Sequence, residues 1–147
     1  LNVTAVADAG SVAITANHSD SVGNNANQAS VNVLKDTVIP TVTISSAPSI
    51  NNTNRTAYTV SGTCSENTRT VTVSVAGVAG SPVCSASAWT LTVDVTAVAD
   101  GASRTITADH TDVAGNSATQ ASVSVIKDVV IPTVTISSAP AINNSNR

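Results

Sequence analysis

Few side chains in this sequence could do chemistry, and they fall into a small number of groups. Cys64 and Cys84 are the only cysteines, in a C-x19-C arrangement. A zinc site takes four ligands, usually from two close pairs, and no second pair is present. Two readings stay open: a disulfide, or two small buried thiols. The disulfide is preferred, because the expected strand order puts both residues in the same half of the molecule. It would close a loop of roughly 20 residues, worth about 3 kcal/mol in the chain-entropy view. It also suits an oxidising, extracellular setting.

The second group is acidic. Asp112-Val113-Ala114-Gly115-Asn116 returns earlier as Asp20-Ser21-Val22-Gly23-Asn24, and Asp36 and Asp128 return in Lys-Asp pairs. If the strands alternate in direction, the loops carrying Glu66 and Asp112 and the segment carrying Asp36 share one end. Asp36, Glu66, Asp109, Asp112 and Asn116 are then candidate ligands for a calcium ion at a junction between domains. Calcium takes six to eight oxygens, which carboxylates and loop carbonyls can supply. The competing reading is structural and is favoured: Asp before a turn caps backbone N–H groups, and Gly115 supplies a positive φ. Asp109 is Asn17 in the other copy, which weakens its claim.

His18 and His110 also occupy equivalent positions. A metal ligand or pH sensor is conceivable, but a half-buried histidine bonded to a loop carbonyl is preferred. Asn2, Asn17, Asn51, Asn54 and Asn143 begin N-x-S/T sequons, which arise readily by chance in so polar a chain. The polar stretch SSAPSINNTNR, residues 45–55, reads as a solvated connection rather than an adhesive loop. No GxSxG, HExxH or phosphate loop is present, so no enzyme is expected.

These residues must be positioned by strands. The 147 residues hold one Trp, one Tyr, no Phe and no Met, and the apolar share is mostly Val, Ala and Ile. β-branched residues favour strands. A net charge of −3 with six Lys+Arg offers no basic patch for nucleic acid or anionic membrane. No stretch approaches the roughly 18 apolar residues of a membrane span.

The sequence also repeats. Asn2 to Arg55 aligns without a gap onto Asp94 to Arg147, an offset of 94 − 2 = 92, with 38 identities in 54 pairs. A 92-residue period is too long for a solenoid coil and fits a small domain. Within one period, seven strands are expected over residues 41–46, 58–64, 69–76, 82–88, 89–95, 104–112 and 118–127. The fourth is the weakest. Alternation places Tyr58, Val60, Val71, Val73, Trp89, Leu91, Val93, Ile106, Val123 and Val125 on inward faces. Turn signals lie at Ala79-Gly80-Ser81-Pro82, Asp100-Gly101 and Gly115-Asn116. The expectation is an all-β, immunoglobulin-like seven-stranded sandwich in tandem repeats. Residues 37–128 form the complete repeat. Residues 1–36 supply the last three strands of one before it, and residues 129–147 the first strand of one after it.

The pattern D-x-x-x-P-T-V-T-I, then W-T-L-T-V, then A-D-G…T-I-T-A-x-H-x-D-x-x-G-N resembles the bacterial Ig-like repeats of large surface adhesins and biofilm-associated proteins. The resemblance covers the whole chain and is most specific over residues 100–116. It implies a sandwich, an extracellular or cell-surface location, and a stalk or adhesive role. The chain is expected to be a window on a longer array whose partners are neighbouring repeats. Self-assembly, lateral or end to end, stays open. A module that itself grips a glycan or protein is the alternative. It would favour exposed aromatics, whereas Trp89 and Tyr58 fit inward phases.

Overall fold

The computed structural model describes residues 2–145; the outermost residues of the two flanking segments lie outside that range. Every regular element is a strand: β1 (Ala9–Ala16), β2 (Ala29–Lys35), β3 (Tyr58–Thr63), β4 (Val71–Val75), β5 (Val78–Gly80), β6 (Ala88–Val93), β7 (Gly101–His110) and β8 (Ala121–Lys127).

The sandwich lies within residues 40–128. One sheet pairs β3 with β6 in an unbroken antiparallel register from Tyr58↔Val93 to Thr63↔Ala88. Residues 41–46 run along the other side of β3 through the bridges Val42↔Cys64 and Ser46↔Ser61. The second sheet has the order β5-β4-β7-β8. The first segment changes sheets after Ser46, and Ile50 joins Lys127 at the end of β8 in a parallel bridge. Tyr58 holds this crossing, with its hydroxyl donating to the Pro48 carbonyl at 2.6 Å. Burial pushes the Tyr58 pKa up, which keeps the hydroxyl a donor.

Alternation explains the core. β3 buries Tyr58, Val60 and Gly62, and β4 buries Val71, Val73 and Val75. Trp89, Ile106, Ala108 and Val125 complete it from β6, β7 and β8. Of the expected core, Leu91, Val93 and Val123 are only half-buried and pack against its margin.

Two sequence expectations need correction. Residues 82–88 do not form the fourth strand. Pro82 has no N–H to donate, and Ala86 and Ser87 have φ of 50° and 60°, a tight turn feeding β6. The fourth strand is instead β5, a short partner of β4. It starts after a turn at Ala76 (φ 50°) and Gly77 (φ 93°), not at residues 79–82. Positive φ at both central residues gives the twist that a two-residue hairpin needs. With residues 41–46 as the edge, the sandwich still has seven segments.

β1 and β2 match β7 and β8 in the other copy, and they pair in the same antiparallel manner. Residues 129–145 contain no strand.

Candidate functional site

The loops at one end of the sandwich meet the segment that leaves β2. The loop after β7 is built on Asp112. Its Oδ1 accepts the backbone N–H groups of Gly115 (2.7 Å) and Asn116 (2.8 Å), and its Oδ2 accepts the Asn116 side-chain amide at 2.8 Å. Gly115 takes φ 97°, the left-handed region that glycine tolerates. Asp112 is 3% exposed. Burial alone would raise its carboxyl pKa. The N–H bonds from Asn116, Gly115 and Ala114 outweigh that and hold it below the ordinary value. Asp20 repeats this loop, with bonds to Asn24 of 2.9 Å (backbone) and 2.7 Å (side chain).

Asn116 also reaches across. Its side-chain nitrogen donates to the backbone carbonyl of Asp36 at 3.0 Å. The Asp36 carboxylate turns back on its own segment and accepts the Val38 N–H at 2.9 Å. Asp128 does the same with Val130.

The other side of this linker is held by a residue that sequence reasoning missed. Asp8 accepts Lys35 Nζ at 2.6 Å and the Thr37 backbone N–H at 2.9 Å. These bonds, led by the one from Lys35, pull the Asp8 pKa down to about 2. Asp100 repeats the arrangement with Lys127 Nζ (3.1 Å) and the Val129 N–H (3.3 Å). Lys127 is 3% exposed. The signal was present: VTAVAD and Lys-Asp are both identical between copies. Farther along the linker, Pro40 is buried and the Thr41 N–H donates to Ser65 Oγ at 3.0 Å.

The remaining candidates sit nearby but point elsewhere. Glu66 Oε1 accepts the Ser65 hydroxyl, and the Glu66 backbone N–H donates to His110 Nε2 at 3.2 Å. His110 is 2% exposed, and its Nδ1 bonds the Thr70 carbonyl at 3.1 Å. An acceptor at Nε2 fixes the neutral tautomer with the proton on Nδ1. Both Asp109 oxygens receive Gln120 Nε2 at 2.9 Å. Asn116 therefore joins the Asp112 carboxylate to the Asp36 backbone carbonyl, whereas the carboxylates of Asp36, Glu66 and Asp109 face other partners. A calcium ion would need oxygens aimed at one point. At this contact the Asp112 oxygens already receive N–H groups, and Asn116 presents an amide N–H to Asp36. As arranged, the set does not fit a calcium sphere. Among the described residues, no group of three or more His, Cys, Asp or Glu could hold a metal.

Cys64, just past β3, and Cys84, before the turn into β6, are joined in a disulfide with Cα atoms 6.0 Å apart. Both sulfurs are in the core.

No family model matches the chain, and no curated protein matches it. Among solved structures, it is similar to a protein described as a Ca2+-stabilized adhesin that helps an Antarctic bacterium reach out and bind ice. The TM-score is 0.50 and the identity 23%, over 79% of this chain and 32% of that one. The fold is an immunoglobulin-like β-sandwich. A bacterial immunoglobulin-like domain from the M. primoryensis ice-binding adhesin is also similar, with TM-score 0.48 and 23% identity over 61% of this chain and 98% of that domain. So is the BSP domain of a biofilm associated protein, with TM-score 0.44 and 13% identity over 82% and 20%. The present chain thus spans about a third of the first adhesin's length. Among the described residues, no helix is long and apolar enough to cross a membrane.

Proposed function

We propose that this chain is a non-enzymatic, extracellular repeat that extends a bacterial surface protein as a rod-like stalk or fibre. Residues 37–128 are the repeating unit in this reading, flanked by parts of its neighbours. The observation that carries it is the tethered linker. Between Asp36 and Thr41, bonds come from Asp8 on one side and from Asn116 and Ser65 on the other. Pro40 restricts its predecessor to extended geometry. Such a linker keeps a defined angle, which a stalk needs and a flexible tether lacks.

The chain's one Trp and one Tyr are both in the core, so neither is offered to a sugar or a peptide. That favours the spacer over a ligand-gripping module. A neighbour described as a Ca2+-stabilized adhesin makes calcium worth testing here. Small-angle scattering on chains of increasing repeat number, with calcium and with chelator, tests the reading. The expected result is a maximum dimension that grows linearly with repeat number. Compact, folded-back particles would sink the stalk function.

A further inference from the structure

We propose that Asn116 sets the angle between consecutive repeats, by pinning the Asp36 carbonyl of the linker to the Asp112 loop, and that this pin needs no divalent cation. The inference rests on the rod reading above and adds the residue that fixes the rod.

A primary amide has two N–H bonds. In Asn116 they go to acceptors in two separate segments: the Asp112 carboxylate at 2.8 Å and the Asp36 carbonyl at 3.0 Å. The base of the pin is fixed, because Asp112 is buried and takes two further N–H bonds from its own loop. The far end is fixed as well. Asp36 closes a turn onto Val38, and its neighbours Lys35 and Thr37 are both bonded to Asp8. The linker is thus gripped from both sides, by Asp8 of the preceding copy and by Asn116 of the following one.

A cation at the same place would have to share the Asp112 carboxylate with the three N–H groups that already bond it. Asn116 turns its amide nitrogen to this contact, where a cation would require its oxygen. The half of the pin inside the loop recurs in the other copy. Asp20 accepts the Asn24 backbone N–H at 2.9 Å and the Asn24 side-chain amide at 2.7 Å, as Asp112 does from Asn116. Lys-Asp precedes both linkers, so the receiving end recurs too.

The test is scattering on a chain of consecutive 92-residue units, wild type and Asn116→Ala in every unit, in calcium and in chelator, alongside the melting temperature. The pin predicts an extended wild type that is indifferent to chelator. It also predicts that the variant loses linear growth of its length while each unit melts within a few degrees of wild type. A variant as extended as wild type overturns the pin and leaves the rod standing. A wild type that bends in chelator overturns the cation-independence. A compact wild type in every condition overturns the rod reading itself. Should the variant fail to fold, the scalar coupling across the hydrogen bond from Asn116 Nδ2 to the Asp36 carbonyl carbon, measured by NMR on the unmodified chain in chelator, decides the matter. Its presence supports the pin, and its absence overturns it.

Discussion

Trp89 lies directly against Gly62, its register partner across β3 and β6. A Cβ added at Gly62 would come within 2.8 Å of Trp89 Cε2 and 1.8 Å of the Thr43 carbonyl oxygen. The indole N–H donates to that same carbonyl at 3.1 Å and to the Thr63 carbonyl at 3.2 Å. The largest core side chain is thus accommodated by the smallest residue opposite. Gly62→Ala must move either backbone or indole, and overpacking of this kind costs about 1–3 kcal/mol or more. Chemical denaturation should show a loss at the upper end of that range. A change under about 0.5 kcal/mol would mean that the contact is relieved freely.

Reduction of the Cys64–Cys84 bridge, with a sequence separation of 20, should destabilise residues 37–128 by about 3 kcal/mol. For a unit of this size that lowers Tm by roughly 10–20 °C. Both sulfurs sit in the core, so the far-ultraviolet spectrum should remain that of a β-sheet protein below the new transition. A reduced protein with unchanged Tm would contradict this.

Acid should weaken the fold through specific carboxylates. The folded pKa values of Asp112 and Asp100 lie below the ordinary 3.8. Groups of this kind stabilise at pH above the ordinary value, and the contribution is lost as pH falls through the lower, folded one. Tm should therefore be flat above about pH 5 and decline as pH drops below the ordinary carboxylate range. Asp112→Asn should start from a lower Tm and show a shallower decline. An equally steep decline in that variant would shift the effect to other carboxylates.

Lys127 is buried, whereas its partner Asp100 is about a third exposed. Removing the carboxylate strands a buried cation, which costs more than removing both charges. Asp100→Asn should thus lower Tm further than the double variant Asp100→Asn/Lys127→Met. The reverse order in thermal melts would show that Lys127 reaches water when unpaired.

Much of the sandwich was legible in the sequence. Val71 and Val73, or Trp89 and Ile106, announce a buried face through period-2 alternation, a local property of the strand itself. The two cysteines indicated their bridge. The site was legible only in part. Asp112 and Asn116 stood out by recurrence. The use of the Asp36 carbonyl in place of its carboxylate, and the grip of Asp8 on Thr37, depend on segments brought together only by folding.

Residues 39–48 and 131–140 show where that division falls. Both read IPTVTISSAP. In the first, Val42 bridges to Cys64 and is 8% exposed. In the second, Val134 is 93% exposed and its segment forms no strand. Composition and alternation determined that this segment suits a sheet, because side-chain branching and phase are carried by the residues themselves. Tertiary structure alone decided whether it joined one, because an edge segment takes its hydrogen bonds and its burial from a partner distant in sequence.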